Sequence, residues 1–213
     1  MSLSNLKRVL TRKQIQFIMK KPFSILITSL LLIFSTNTFA QSNIEGILDK
    51  AISLAGQKSE GPQIASLLGT GVSLLEREAN TGNADIKNKL LGQLGALNGL
   101  IPLANSGKLD LGSLSKIVNT VKMLVAANRL KTMLSDGKSN LSQNETNIAR
   151  NLNLLKAGSS VLGSSVQNHF GKLLASTTKS VGKLDKSGLF GKLAASATNK
   201  KLEKIISLVT SAL

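Results

Sequence analysis

The sequence contains no cysteine, no tryptophan and no tyrosine, and it has one histidine in 213 residues. The absence of cysteine excludes a disulfide framework, a thiol nucleophile and a cysteine-ligated zinc site. The scarcity of aromatic side chains removes the residues that usually dominate binding pockets and interface hot spots. Acidic residues are also few, since 27 basic side chains stand against 11 acidic ones and give a net charge of +16. We therefore expect a basic protein whose core is built from Leu, Ile, Val and Ala.

The side chains that usually carry catalysis are equally scarce. General-base catalysis most often uses histidine, and His169 has no acidic residue near it between Glu145 and Asp185. We interpret His169 as a half-exposed helix residue rather than a base. Glu76 and Glu78 would point about 200° apart on a helix, so they do not form a carboxylate pair. With no Walker motif, no calcium-loop spacing and no zinc triad, the sequence predicts no enzyme, no cofactor and no metal site.

Residues 1–40 have the composition of a secretory signal peptide. They hold six basic residues and no acidic one, and an uncharged apolar run extends from Phe23 to Phe34. This run is shorter than the roughly 20 residues of a spanning helix, which disfavours the alternative of a membrane anchor. The segment resembles the export signals of Gram-negative bacteria. We expect translation to start at Met19, cleavage between Ala40 and Gln41, and a periplasmic or secreted product.

Residues 41–213 have the pattern of an all-α protein. Apolar residues recur at the spacing of one helix face, and no sustained alternation of period two is present. The sequence therefore predicts a bundle of about six to eight short amphipathic helices. A polar turn cluster then suggests a linker over 135–142, between a helical part at 41–134 and a Lys-rich helical part at 143–213.

Turn and capping residues predict where several helices begin and end. Pro62 suits the first turn of a helix, and Asn83 suits an N-cap. Pro102 is expected to end the helix that Asn83 begins. Ser142 and Glu145 have the spacing of a capping box. The last helix is expected over about residues 199–212.

The fourth predicted helix has the clearest apolar stripe. Leu124 lies on it together with Leu114, Val121 and Val125, whereas Lys122 is expected at its edge or outside it. A carboxylate in a leucine-lined core costs several kcal/mol. On the sequence alone, Leu124→Asp should therefore destabilise the fold far more than Lys122→Asp.

Three glycines mark one side of the third predicted helix. Gly92, Gly95 and Gly99 follow the spacing i, i+3, i+7, and residues 90–107 carry no charge. We expect this line to allow tight packing against another helix of a soluble bundle. Insertion into a membrane is the alternative, but the uncharged stretch is too short to span a bilayer.

A nine-residue stretch occurs twice near the C-terminus. Residues 170–178 and 190–198 are identical at seven of nine positions. Two copies fall short of a stacking repeat, so we favour chance similarity or a local duplication that packs as a helical hairpin. The alternative is that Phe170 and Phe190 are twin anchors of one site. In composition, residues 188–195 resemble cationic membrane-active helical peptides.

Positive charge is concentrated in the C-terminal part. Residues 151–213 hold nine lysines, no arginine and two acidic residues, whereas residues 41–150 hold 12 basic and 9 acidic ones. Lysine without arginine or stacking aromatics argues against nucleic acid and suits anionic lipid or an envelope polymer. Alternatively, the lysines only keep an apolar protein soluble. The candidate residues for an anionic surface are Lys172, Lys179, Lys183, Lys186, Lys192, Lys200, Lys201 and Lys204.

Together these patterns predict an exported, non-catalytic helical protein whose basic C-terminal part associates with an anionic membrane or envelope surface. The alternative is a helical scaffold that docks another envelope or extracellular protein. The two functions differ in salt dependence, because screening weakens binding to a charged surface far more than it weakens a buried apolar interface.

Overall fold

The chain folds into α-helices joined by short turns in the computed structural model, which describes residues 43–58, 60–135, 141, 143–184 and 189–213. These ranges contain no strand, so the prediction of an all-α bundle is confirmed. The predicted signal peptide, its cleavage site at Ala40 and Gln41, and Lys186 lie outside them. The seven α-helices of the described ranges are α1 (Ile44–Gly56), α2 (Gly61–Asn80), α3 (Ala84–Asn105), α4 (Leu111–Ser135), α5 (Glu145–Gly158), α6 (Ser164–Val181) and α7 (Leu189–Ala212), with a 3₁₀ turn at Ser159–Val161.

A first-turn proline and two capping side chains mark where three of the helices start. Pro62 lies in the first turn of α2. The Asn83 side chain accepts a hydrogen bond from the backbone N–H of Ile86 at 3.1 Å, which confirms it as the N-cap of α3. Before α4, the carboxylate of Asp110 accepts a hydrogen bond from the backbone N–H of Ser113 at 2.7 Å. This bond lowers the pKa of Asp110, because it stabilises the ionised carboxylate.

The predicted end of α3 at Pro102 and the predicted capping box at the start of α5 are wrong. Helix α3 passes through Pro102 and ends at Asn105. Pro102 and Asn98 are both exposed, so water can bond the Asn98 carbonyl that the proline leaves without an amide donor. Helix α5 begins at Glu145 after an Asn144 N-cap whose side chain makes no capping bond, so Glu145 is not the third residue of a capping box.

The last helix is longer than the sequence pattern predicts. Helix α7 begins at Leu189, well before residue 199. Its early turns contain small residues at 194–198, which continue the helix without presenting a stripe of large apolar side chains. The periodicity used to find helices is therefore weak in this stretch.

Helix α4 lies at the centre of the bundle. It contacts α1, α3, α5 and α7, and every residue from Thr120 to Asn128 is buried. Leu124 is fully buried, as expected, but Lys122 is also only 8% exposed. The prediction that Lys122 lies at the edge of the apolar stripe or outside it is wrong, because this part of α4 is covered on all sides.

A glycine allows α5 to pack closely against α4. A Cβ added at Gly158 would lie 2.6 Å from the backbone oxygen of Asn119 and 2.5 Å from Met123 Cγ. These distances are too short for any side chain. The two helices therefore approach as closely as they do because residue 158 has no Cβ.

The glycine line of α3 lies on an open surface. Gly92, Gly95 and Gly99 are exposed, and nothing lies within 4 Å of a Cβ added at any of them. The prediction that these glycines pack tightly against another helix is wrong. The opposite side of α3 is the packed one, where Ile86, Leu90 and Leu97 are fully buried.

Helices on both sides of the predicted linker belong to one compact unit, Asn43–Leu213. Helix α4 contacts both α5 and α7. Residues 136–140 and 142 lie outside the described ranges, so the linker over 135–142 stays a prediction. No helix within these ranges has the length and apolarity needed to cross a bilayer.

Candidate functional site

Helix α7 has a buried side and an opposite exposed side. At 100° per residue, Leu193, Lys200 and Lys204 lie within about 20° of the direction opposite Leu202. All three are exposed, whereas Leu202 is 1% exposed. The fold thus turns both lysines directly away from the core. The buried side consists of Thr198, Asn199, Leu202, Ile205, Ile206 and Val209.

Helix α6 is arranged in the same way. Its buried side consists of Phe170, Leu174, Thr177 and Val181. Lys172 and Lys179 are about two turns apart on the other side, and both are exposed. His169 is also exposed on this side. We call Lys172, Lys179, Lys200 and Lys204 the basic face.

Lys201 joins the two helices instead of facing water. Its ammonium donates to the backbone oxygen of Ser176 at 3.0 Å and to the hydroxyl of Ser180 at 2.7 Å. The side chain is half-buried. Because α6 and α7 pack against each other, these bonds tie together the two helices that carry the exposed lysines. Lys201 therefore supports the basic face without belonging to it.

No lysine of the basic face forms an ion pair with a residue of the described ranges. The ion pairs found in the described ranges involve Lys122 and Arg129, and none involves a lysine of α6 or α7. Glu203 lies on the flank of α7, where it accepts a hydrogen bond from Asn199 Nδ2 at 3.1 Å. The ammonium groups are therefore available to an external anion. Of the other predicted candidates, Lys183 follows α6 and Lys192 lies on the flank of α7, and both are exposed.

A second charged cluster lies inside the bundle. Arg129 of α4 donates to Glu45 of α1 at 2.6 Å and to Glu78 of α2 at 3.2 Å. Lys122 of α4 forms an ion pair with Asp49 of α1. The side chains of Glu45 and Glu78 are 7% and 15% exposed, so two largely buried carboxylates share the single positive charge of Arg129. This cluster fastens α1 and α2 to the central helix.

Sequence reasoning did not find this internal cluster. The spacing of Glu76 and Glu78 excludes a carboxylate pair, and no local pattern predicts a buried partner for Glu78. The available signal was the position of Glu45, which directly follows Ile44 at the start of an apolar helix face. No group of three or more metal-ligating side chains occurs in the ranges that the structure describes. We interpret the cluster as structural.

The two copies of the nine-residue repeat have different surroundings. Leu173 of the first copy packs against the core, whereas Leu193 of the second is 60% exposed. Thr177 is fully buried, whereas Ala197 is exposed. The copies therefore do not present equivalent surfaces. The Phe190 side chain lies outside the described part of the chain, so its role as a twin anchor stays a prediction.

No family model, curated protein or solved structure matches the chain.

Proposed function

We propose that the protein is an exported, non-catalytic helical protein whose basic face associates with an anionic membrane or envelope surface. The observation that carries this proposal is the placement of four exposed lysines directly opposite the buried sides of two adjacent helices. None of the four forms an ion pair within the described ranges.

The distribution of charge favours binding over a purely solubilising role. A surface that only needs solubility can intersperse both signs of charge, as residues 41–150 do with 12 basic and 9 acidic side chains. The basic face instead keeps its ammonium groups unpaired. A lysine near an anionic leaflet contributes about 1 kcal/mol, so four lysines favour binding by roughly a thousandfold at low salt.

The buried side of α7 limits how the protein can bind. An interfacial helix usually lays its apolar side into the membrane. Here Leu202, Ile205 and Val209 are used in the core, with exposures of 1% or less. Binding therefore uses the folded outer surface and depends strongly on ionic strength.

Vesicle co-sedimentation tests the proposal on the full chain. Binding to phosphatidylglycerol vesicles should exceed binding to phosphatidylcholine vesicles and should fall steeply as salt is added. A variant with Lys172→Glu, Lys179→Glu, Lys200→Glu and Lys204→Glu should bind at least tenfold more weakly.

A charge-matched control separates the basic face from net charge. The control carries Lys50→Glu, Lys108→Glu, Lys116→Glu and Lys131→Glu, all at exposed positions outside α6 and α7. It should retain most of the binding. Equal losses in both variants, or no binding to anionic vesicles at low salt, would contradict the proposal.

A second candidate function is a helical scaffold that docks another protein. The observation favouring it is the open side of α3, which carries no charge from residue 90 onward and where Leu91 and Leu103 are 40% and 39% exposed beside the three glycines. A complex formed there would resist salt. Leu103→Lys should abolish its recovery in a pull-down from envelope fractions, and the basic-face variant should not.

A further inference from the structure

We propose that the basic face recognises an anionic lipid bilayer, and that Leu193 enters it at the boundary between headgroups and acyl chains. This inference rests on the proposed function and names its ligand. Leu193 is 60% exposed, whereas the other exposed leucines, Leu91, Leu103 and Leu111, are 39–41% exposed. It is therefore the most exposed large apolar side chain among those whose burial the structure describes.

Leu193 is aligned with two lysines of the basic face. Along α7, Lys200 lies about 10 Å and Lys204 about 16 Å from it, at 1.5 Å per residue. No large side chain stands between Leu193 and Lys200 on this side of α7, because Ser196 and Ala197 are small and exposed. A planar surface can therefore meet the leucine and both lysines together.

The two kinds of side chain match the two layers of a membrane surface. Lysine extends its ammonium to the phosphates while its methylene stem covers apolar groups. Moving a leucine side chain out of water is favourable only where an apolar phase can receive it. Transfer of the whole side chain strengthens binding by about tenfold or more. A soluble polyanion offers charge without that phase. The combination therefore favours lipid over an envelope polymer.

The repeat supports a specific role for Leu193. Its equivalent in the first copy, Leu173, is packed against the core. The same short sequence thus uses its leucine for packing in α6 and leaves it in water in α7. Because Leu193 contributes little to the core, its replacement should not unfold the protein.

A single tryptophan can report the insertion, since the chain has none of its own. In Leu193→Trp, fluorescence should shift to the blue on phosphatidylglycerol vesicles and should be quenched by lipids brominated on their acyl chains. The matched control is Leu111→Trp, at a leucine that is 41% exposed at the start of α4. It should show neither change, and inorganic polyphosphate should shift neither tryptophan.

Affinity measurements separate this inference from the proposed function. Leu193→Ser should weaken binding to phosphatidylglycerol vesicles by about tenfold and leave binding to polyphosphate unchanged. The basic-face variant should lose both. If Leu193→Ser binds vesicles like the wild type, or if the tryptophan of Leu193→Trp is not quenched on bound vesicles, insertion is wrong and the proposed function stands. If the wild type does not bind anionic vesicles at low salt, both proposals fail.

Discussion

Lys122 has a different role in the bundle from the one its charge suggests. A helical pattern places charged residues on the solvent-exposed side of a helix and so assumes that every helix has such a side. Between Thr120 and Asn128, α4 has no solvent-exposed side. The charge of Lys122 is compensated by Asp49 of α1 instead of by water. The sequence could not show this, because the two residues are brought together only by packing.

The buried position of Lys122 changes the expected effect of its replacement. We expect Lys122→Asp to destabilise the fold about as strongly as Leu124→Asp, by several kcal/mol, because a second carboxylate would face Asp49 at a nearly buried site. Urea denaturation followed by far-UV circular dichroism measures this. Lys116→Asp is the control, since Lys116 is exposed on the same helix. Equal midpoints for Lys122→Asp and Lys116→Asp would show that the Lys122 side chain is not buried in solution.

At the scale of the helices, a glycine is required for packing at one position and is not required at another. Gly158 permits the close approach of α5 to α4, whereas Gly95 lies on an open side of α3. We expect Gly158→Ala to cost about 1–3 kcal/mol through steric overlap, and Gly95→Ala to stabilise the protein by about 1 kcal/mol through helix propensity.

Thermal unfolding of both alanine variants checks this pair of expectations. The two substitutions add the same methyl group to helices of one protein, so opposite shifts in melting temperature can only reflect their surroundings. A loss of stability in Gly95→Ala would mean that the glycine side of α3 is covered in solution.

The sequence predicted the start of α3 because its signal is local. Asn83 is separated from the amide that it caps by one turn, so the spacing alone defines the contact. The continuation of α3 through Pro102 depends instead on which side of the helix faces water, and local spacing does not show this.

The same limit applies to the candidate site. The lysine excess of residues 151–213 is visible in composition, but the hydrogen bond between Lys201 and Ser180 forms only when α6 and α7 are packed together.

For the chain as a whole, the described helices lie in the unit Asn43–Leu213, and the predicted cleavage point precedes it. We expect the protein recovered from periplasm or culture medium to begin at Gln41, because the preceding segment has the basic, apolar and small-residue regions of an export signal. N-terminal sequencing and intact mass determine the start. Recovery of residues 1–40 still attached, in a membrane pellet, would show that the segment is an anchor.

The central place of α4 also determines when the fold can be completed. Its buried stretch is covered by α1, which is made before it, and by α7, which is the last helix of the described chain to be made. During synthesis, that stretch is therefore enclosed on all sides only after α7 has been made. Helix α4 itself can form earlier, but its packing depends on contacts between parts of the chain that are far apart in sequence.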